Sequence, residues 1–407
     1  MVDIAVAGAG IGGLAAALAL AEIGARVSVY EQAATLEPVG AGVQISPNAT
    51  LVLRRLGVLN LLRTSAVAPS EVLIRRARDG ATLARLPLGP DAEARYGAPF
   101  LVVLRADLQA ALLARVAATA AITLHLGCGV LSYDAQHDGV RLRFTDKGRA
   151  PHAVDALVGA DGIRSTVRRQ LAGPGHDDAR ASGRSAYRSL VPCEAAPPDA
   201  RLPRSNLWLG RRAHLVHYPV SGGTMVNVVA ILDGRAPARG DGFWSQPADA
   251  VAVQFAFRHW SKAARQLVAA APAWRKWPLF DRPPLPRWSE GAVTLLGDAA
   301  HPMLPFLAQG AAQAIEDAAS LADSIGRTST DLAAAFATYN AERASRTARV
   351  QAQSRRQGYI YHLGPPASNV RDLIMAGLGR DRLAAGLDWL YDAPAAVRRF
   401  AETGEAP

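Results

Sequence analysis

The chain has 407 residues, half hydrophobic and one-fifth charged, which exceeds one ordinary core and points to two domains. Its net charge of +10 rests almost wholly on arginine, since Lys147, Lys262 and Lys276 are the only lysines. The arginines are scattered with no run of like charge. That argues against a nucleic-acid footprint and fits a solvated basic surface, compatible with a field that attracts small anions. Cys128 and Cys193 form no CxxC. Disulfide and metal frameworks are therefore not expected, and a cytoplasmic, reducing setting fits.

In chain order, residues 3–7 read as a short apolar strand, 11–24 as a helix ending at Gly24, and 26–31 as a second strand. The uncharged stretch 4–21 is not expected to be a signal peptide, because no Lys or Arg precedes it. Nor is it expected to span a membrane, because Gly8, Gly10, Gly12 and Gly13 interrupt it. Residues 71–88 read as a hairpin turning at Asp79–Gly80, and 106–118 as a helix. Strands with turns near Asp138–Gly139 and Lys147–Gly148 fill 122–160, and 184–232 is again strand-rich. Residues 247–270 read as helical. The proline-rich "WPLFDRPPLPRW" (277–288) reads as a crossing segment at a domain boundary. "AVTLLGD" is a strand. Helices over 309–325 and 331–357 and a last helical piece near 367–390 follow. The simplest architecture is an α/β nucleotide-binding domain interrupted by a β-sheet domain, with a C-terminal helical segment.

"GAGIGG" places Gly8, Gly10 and Gly13 directly after a strand and at the start of a helix. Glycines there permit the tight turn and close backbone approach to a pyrophosphate, and the helix N-terminus offers partial positive charge. Glu31 ends the second strand, 18 residues beyond Gly13, where an acid accepts hydrogen bonds from a ribose diol and repels a 2′-phosphate. The pattern points to the ADP half of FAD or NAD. No second such motif occurs. "DALVGADGIRSTVR" (155–168) runs a strand into Asp161–Gly162, which reads equally as a capped turn before a helix or as a ligand motif. "AVTLLGD" puts Asp298 at the carboxyl edge of the sheet, where open α/β folds bind ligands. Prolines at 302 and 305 stiffen the next loop, and Gly310-Ala311-Ala312 opens a helix whose free N–H groups can face an anion.

These three motifs, in this order and spacing, resemble the single-component FAD-dependent aromatic hydroxylases: the group of salicylate hydroxylase, 3-hydroxybenzoate 6-hydroxylase and 6-hydroxynicotinate 3-monooxygenase. "GAGVQISPNA" (40–49), "LRADLQAAL" (104–112), "IYHLGPPA" and "DWLYD" extend the likeness over nearly the whole chain. The resemblance implies a Rossmann-like FAD-binding domain in three parts (1–70, 98–180, 281–357). A substrate domain built from the hairpin 71–97 and residues 181–280 interrupts it, and a helical segment covers 358–407.

By the same resemblance Gly8, Gly10, Gly13 and Glu31 hold the ADP half of FAD. Arg105 contacts the phosphate or ribityl region, unless it is simply a surface arginine at a helix start. Val130 lies by the adenine through its backbone, and Asp161 serves FAD and the nicotinamide donor. Asp298 binds the ribityl or pyrophosphate, while Gly310 and Ala311 face the isoalloxazine. Gln44 stands where the hydroxynicotinate enzyme has a histidine near the flavin.

In "HLVHYP", alternation puts His214, Val216 and Tyr218 on one face and His217 on the other. Relatives line the substrate site with a histidine and a tyrosine at this spacing. The resemblance thus makes His214 a base for the substrate's phenolic proton and Tyr218 a holder of its carboxylate or ring. The plainer alternative is a structural histidine and a core tyrosine on a strand. His301 reads as loop architecture. Pro305 and Phe306 replace a glutamine or histidine of the relatives, which leaves no second acid-base partner on that loop.

The implied reaction uses NADH, favoured over NADPH by analogy, to reduce FAD. Dioxygen then adds at the flavin C4a position, and the hydroperoxide hydroxylates a small hydroxylated aromatic or N-heteroaromatic carboxylate. No metal, membrane or nucleic-acid partner is expected, and a homodimer is left open. The alternatives are a same-fold flavoenzyme on a less polar or bicyclic ring and a non-catalytic flavin-binding redox sensor. A halogenase is disfavoured, because no WxWxIP pattern occurs.

Overall fold

The computed structural model describes residues 1–36, 41–137, 139–173, 179–234, 246–328 and 331–402. Gly40 of the 40–49 motif and Asp138 of the expected Asp138–Gly139 turn lie outside the described residues.

The chain opens with β1 (Asp3–Ala7), α1 (Ile11–Glu22) and β2 (Arg26–Tyr30). β3 (Gly42–Ile45) and α2 (Pro47–Arg55) lead to the hairpin β4 (Glu71–Arg76) and β5 (Thr82–Pro87), the short α3 (Pro90–Tyr96), β6 (Leu101–Leu104) and α4 (Arg105–Ala117). β7 (Ile122–His125) precedes a meander of β8 (Val130–Gln136), β9 (Gly139–Phe144) and β10 (His152–Val154), then β11 (Ala156–Gly159) and α5 (Thr166–Ala172). A β-rich stretch follows: β12 (Arg180–Pro192), β13 (Ser205–Gly210), β14 (Ala213–Val220), β15 (Met225–Asp233) and β16 (Gln246–Ala248). Helices α6 (Ala250–Ala256) and α7 (Lys262–Ala269) and strand β17 (Trp274–Asp281) complete it. The last part holds β18 (Ser289–Glu290), β19 (Val293–Leu295), α8 (Gly310–Thr328), α9 (Leu332–Tyr361), α10 (Ala367–Gly377), α11 (Arg380–Ala385), α12 (Asp388–Tyr391) and α13 (Ala395–Glu402).

Two large sheets organise these elements. The first has the order β18-β19-β11-β1-β2-β7, parallel except for β18. Its central strands β1 and β11 are almost wholly apolar because both faces are covered, one by α1 and α4 and the other by the β8–β10 meander and α5. α1 is all but continuously apolar and packs against both α4 and α8. The turn before it requires glycine: Gly8 has φ +103°, and a Cβ on Gly13 would sit 1.9 Å from the Gly8 carbonyl oxygen.

The second sheet has the order β16-β17-β12-β15-β14-β13-β4-β5. The β4–β5 hairpin joins it through a parallel pairing of β4 with β13, more than a hundred residues later. One face packs Trp208, Leu215, Val226 and Val228 against Phe257 and Leu267 from the α6–α7 region. The other face looks toward the first sheet. The seam between them is tight at Gly42, whose N–H donates to Asn227 Oδ1 at 2.9 Å. A Cβ there would meet Asn227 and Tyr218 at 2.6 and 2.8 Å.

Two expectations differ. Residues 277–281 are not a crossing segment but the end of β17. Pro278 fits there because β17 pairs with β16 only over Trp274–Lys276, so at Pro278 one side of the strand carries no ladder among the described residues. The C-terminal segment also continues past residue 390 into α13. Its buried Ala396, Val397 and Phe400 make a face too short to register as periodicity.

Candidate active site

A cavity of about 360 Å³ lies between the two sheets. Its nucleotide-side wall comes from three segments, one at the β1–α1 turn and two at the ends of the β19–α8 connection. The first is the β1–α1 turn. Gly10 lines the cavity, no side chain caps α1, and a Cβ on Gly10 would meet no atom within 4 Å. The first-turn N–H groups of a 12-residue helix thus face open space. The second segment is β19 into the loop carrying Asp298, and the third is the start of α8, where Gly310 and Ala311 line the cavity. A Cβ on Gly310 would also meet nothing within 4 Å.

The Asp298 loop is held from below. His301 is buried and its Nε2 lies 2.6 Å from Asp317 Oδ2, which also accepts the Gly297 N–H at 2.9 Å. Arg343 Nε donates to the other Asp317 oxygen at 2.7 Å. Gly297 at φ +62° and Ala308 at φ +53° turn the loop tightly. Asp298 opens onto the cavity and has no hydrogen bond to protein among the described residues. The protein around it pushes its carboxyl up, against the pull of His301 and Arg105. Arg105, at the start of α4, opens onto the same cavity, as does Gln44 of β3, whose Nε2 makes a long 3.4 Å contact to Ser205 Oγ.

Five expected cofactor residues sit outside this lining: Gly8 and Gly13, which shape the turn, and Glu31, Val130 and Asp161. Glu31 Oε2 accepts the Ala9 N–H and Oε1 the Ala33 N–H, each at 2.9 Å, which ties the end of β2 to the glycine turn. Val130 starts β8 beside the Cys128–Gly129 loop, where Cys128 N–H donates to the Glu31 carbonyl at 2.7 Å. Asp161 caps α5: its Oδ2 accepts the Thr166 and Val167 N–H groups at 2.7 and 3.2 Å. Its Oδ1 is buried without a hydrogen-bond partner among the described residues. Burial pushes the Asp161 carboxyl up, against Ser165 and those N–H groups.

The opposite wall is the second sheet. Pairing sets Arg188, Val229 and Val216 in one row across β12, β15 and β14, with Ala186, Ile231 and His214 in the next. Tyr218 lies in the row beyond, while His217 faces the other way, against Trp208. His214, Val216, Tyr218 and Arg188 all line the cavity. Pro305 lines it too, and Phe306 packs edge-on to His214 at 5.5 Å.

Two groups, one on this wall and one behind it, were not anticipated. Arg188 makes no ion pair among the described residues. Its Nε is buried without a hydrogen-bond partner, and its guanidinium lies 5.4 Å from the Trp277 ring centre. Burial pushes its pKa down, against Tyr218 and together with Arg105. Nothing in "AYRSL" separates it from the many other arginines. The second group is His362 at the end of α9, whose Nε2 lies 2.7 Å from His214 Nδ1. Its only sequence signal is the "IYHLGPPA" likeness.

A glycine turn open to a diphosphate, a second uncapped helix start across from it, and a carboxylate and an arginine with no side-chain partners among the described residues suit a dinucleotide laid along this wall. The comparisons agree. The FAD-binding-domain family profile matches residues 1–354. The chain belongs to the FAD-dependent aromatic hydroxylases. It is 37% identical to a 3-hydroxybenzoate 6-hydroxylase of Polaromonas naphthalenivorans (strain CJ2) over 389 residues, 95% of each chain. Among solved structures it superposes with TM-score 0.82 on a salicylate hydroxylase substrate complex, at 27% identity over 98% of both chains. It superposes equally well, at 26% identity over 95% of this chain and 98% of the other, on Klebsiella pneumoniae R204Q HpxO complexed with FAD. Among the described residues no helix of this hydroxylase is long and apolar enough to cross a membrane.

Proposed function

We propose that this hydroxylase uses NAD(P)H, FAD and dioxygen to hydroxylate a small aromatic carboxylate that already bears a ring hydroxyl. The observation that carries the reading is the pairing, on one wall, of a half-buried arginine with no carboxylate partner among the described residues and a buried histidine, both lining the cavity. A guanidinium desolvated without a partner is costly, and a ligand carboxylate would offset that cost.

Gly10, Gly13, Glu31, Arg105 and Asp298 would hold the FAD, with Asp161 fixing the neighbouring turn and Val130 the adenine side. Gln44, Gly310 and Ala311 would border its isoalloxazine. When bound, FAD supplies the redox chemistry, accepting a hydride from the nicotinamide donor and activating dioxygen. The chain's own residues do the rest. Arg188 and Tyr218 hold the acid end of the ligand, and Val216, Val229, Ile231 and Pro305 clasp the ring and exclude water. His214 takes the ring-hydroxyl proton, which raises electron density at the attacked carbon. Burial, His362 and Arg184 together push His214 well below its usual pKa, so it is the neutral base this step needs. The apolar Pro305 and Phe306 favour a second reading, a bicyclic ring with the same polar groups. The free cysteines fit the cytosol as its setting.

The test is donor oxidation by the FAD-loaded protein under air, with NADH and NADPH compared. The panel covers hydroxybenzoates, hydroxynicotinates and hydroxyquinolines, and peroxide is quantified. A ligand that speeds donor loss without matching peroxide identifies a substrate. Only peroxide, or no response to any ligand, defeats the reading and leaves a flavin-binding sensor.

A further inference from the structure

His214 is the first link of a chain of hydrogen bonds that leads out of the cavity. Its Nδ1 lies 2.7 Å from His362 Nε2. His362 Nδ1 lies 2.6 Å from Asp233 Oδ1, and Arg184 Nε donates to that same oxygen at 2.9 Å. His214 is buried on β14, His362 is buried at the end of α9, and the Asp233 side chain, at the end of β15, is 23% exposed. The remaining groups around the chain are Arg212 Nε, 3.9 Å from Asp233 Oδ2, and the rings of Tyr361 and Phe306 against His214.

The order of partners fixes the tautomers. An aspartate carboxylate only accepts, so His362 carries its proton on Nδ1 and presents a bare Nε2. His214 must then donate from Nδ1, which leaves its Nε2 bare and available to a ligand.

We infer that His214, His362 and Asp233 form a proton relay that ionises a phenolic ligand and parks the proton outside the cavity. The inference rests on the reading that the cavity takes such a ligand. The ligand O–H bond breaks toward His214 Nε2 as the His214 Nδ1 proton passes to His362 Nε2. His362 becomes an imidazolium paired with Asp233, His214 stays neutral, and the ligand stays as phenolate. No electrons change hands, and the reverse passage reprotonates the product. The relay answers a physical difficulty. Burial, His362 and Arg184 disfavour a charged His214, so alone it would be a poor acceptor. At His362 burial and Arg184 also disfavour the charge, but the hydrogen bond and charge of Asp233 oppose them, so the proton is less disfavoured there than on His214. His362 and Asp233 are positioning and relay residues, since neither borders the cavity.

The test uses the FAD-loaded full chain and the probe 3-hydroxy-4-nitrobenzoate, whose phenol and phenolate absorb differently. Difference spectra are taken against the same protein without probe. At one pH unit below the free probe's pKa, about one-tenth of it is phenolate. The wild type should bring the bound probe past one-half phenolate, about a tenfold change in the ratio. His362→Gln keeps an acceptor for His214 Nδ1–H but cannot take a proton, so it should return the bound probe to about one-tenth, with FAD content and melting temperature retained. A wild-type protein that leaves the probe at its free ratio overturns the relay, as does a His362→Gln spectrum that superimposes on wild type. The titration needs no turnover. A protein that ionises the probe but hydroxylates nothing defeats the proposed function and keeps the relay, whereas turnover with an un-ionised probe does the reverse.

Discussion

His301 Nε2 sits 2.6 Å from Asp317 Oδ2, joining the loop after β19 to the second turn of α8. Burial pushes the Asp317 carboxyl up, but His301, Arg343 and the Gly297 N–H overcome it and hold it at about 2. Its contribution is therefore full above the ordinary carboxylate range and is lost as pH falls from about 4 toward 2, worth roughly 2 kcal/mol. Asp317→Asn removes one side of a buried pair and should destabilise the protein by about 3–5 kcal/mol in urea denaturation. It should also lower the FAD retained on purification, because Asp298 rides on the loop it anchors.

Gly10 and Gly13 differ in what surrounds them. Gly13 has no room for a Cβ, whereas Gly10 faces only the cavity. Gly10→Ala should therefore leave the melting temperature of the apoprotein unchanged within a degree or two and still cut FAD affinity at least about tenfold, since the methyl group takes the pyrophosphate's approach. Equal FAD affinity in a titration of flavin fluorescence would remove the pyrophosphate from this turn.

Asp298 is an exposed carboxylate on the cavity with no hydrogen bond to protein among the described residues, and its surroundings push its carboxyl up, which leaves it free to accept from a ligand hydroxyl. Asp298→Ala should yield colourless protein on purification, with unchanged or slightly raised thermal stability of the apoprotein. A variant that stays yellow with wild-type flavin affinity removes Asp298 from the cofactor site.

The nucleotide half of the fold was legible because its constraints are local. A glycine turn between a strand and a helix, an acid at the next strand end, and a carboxylate before a proline-stiffened loop each lie within a short stretch. Glu31 shows where that stops. Its spacing was plain, but its two hydrogen bonds to Ala9 and Ala33 depend on how β2 meets the glycine turn. Alternation gave the faces of His214 and Tyr218, because a strand's period is strict. The roles of Arg188, Asp233 and His362 were hidden for the opposite reason. They come from β12, β15 and the end of α9, brought together by sheet pairing and helix docking that no local pattern encodes.

Arg188 offers a discriminating substitution. Arg188→Met keeps much of the side-chain volume and removes a cation that has no carboxylate to balance it, so stability should hold or rise. The loss should fall on the acid ligand. A charged hydrogen bond is worth about 1.5–3 kcal/mol, so KM for a hydroxybenzoate should rise roughly 10- to 150-fold, with FAD content unchanged. The matching primary amide should lose far less. An acid and an amide that lose equally would take the carboxylate away from Arg188.

His217 sets the protein's acid limit from the other face of the same sheet. It is fully buried beside Trp208, its Nδ1 has no partner among the described residues, and burial together with Arg75 holds its pKa at about 3. A histidine that is neutral when folded and free to protonate when unfolded binds fewer protons in the native state. Stability is thus complete above the ordinary histidine pKa and falls as pH drops from about 6.5 toward 3, by roughly 2 kcal/mol at pH 5 for this residue alone. His214 and His362 are also pushed down and act in the same direction. His217→Phe removes the titration while keeping an aromatic ring against Trp208. Urea denaturation of both proteins at pH 7 and pH 5 should show the variant losing about 2 kcal/mol less than wild type between the two. Equal losses would mean that His217 protonates without unfolding, and that its pocket admits water in acid.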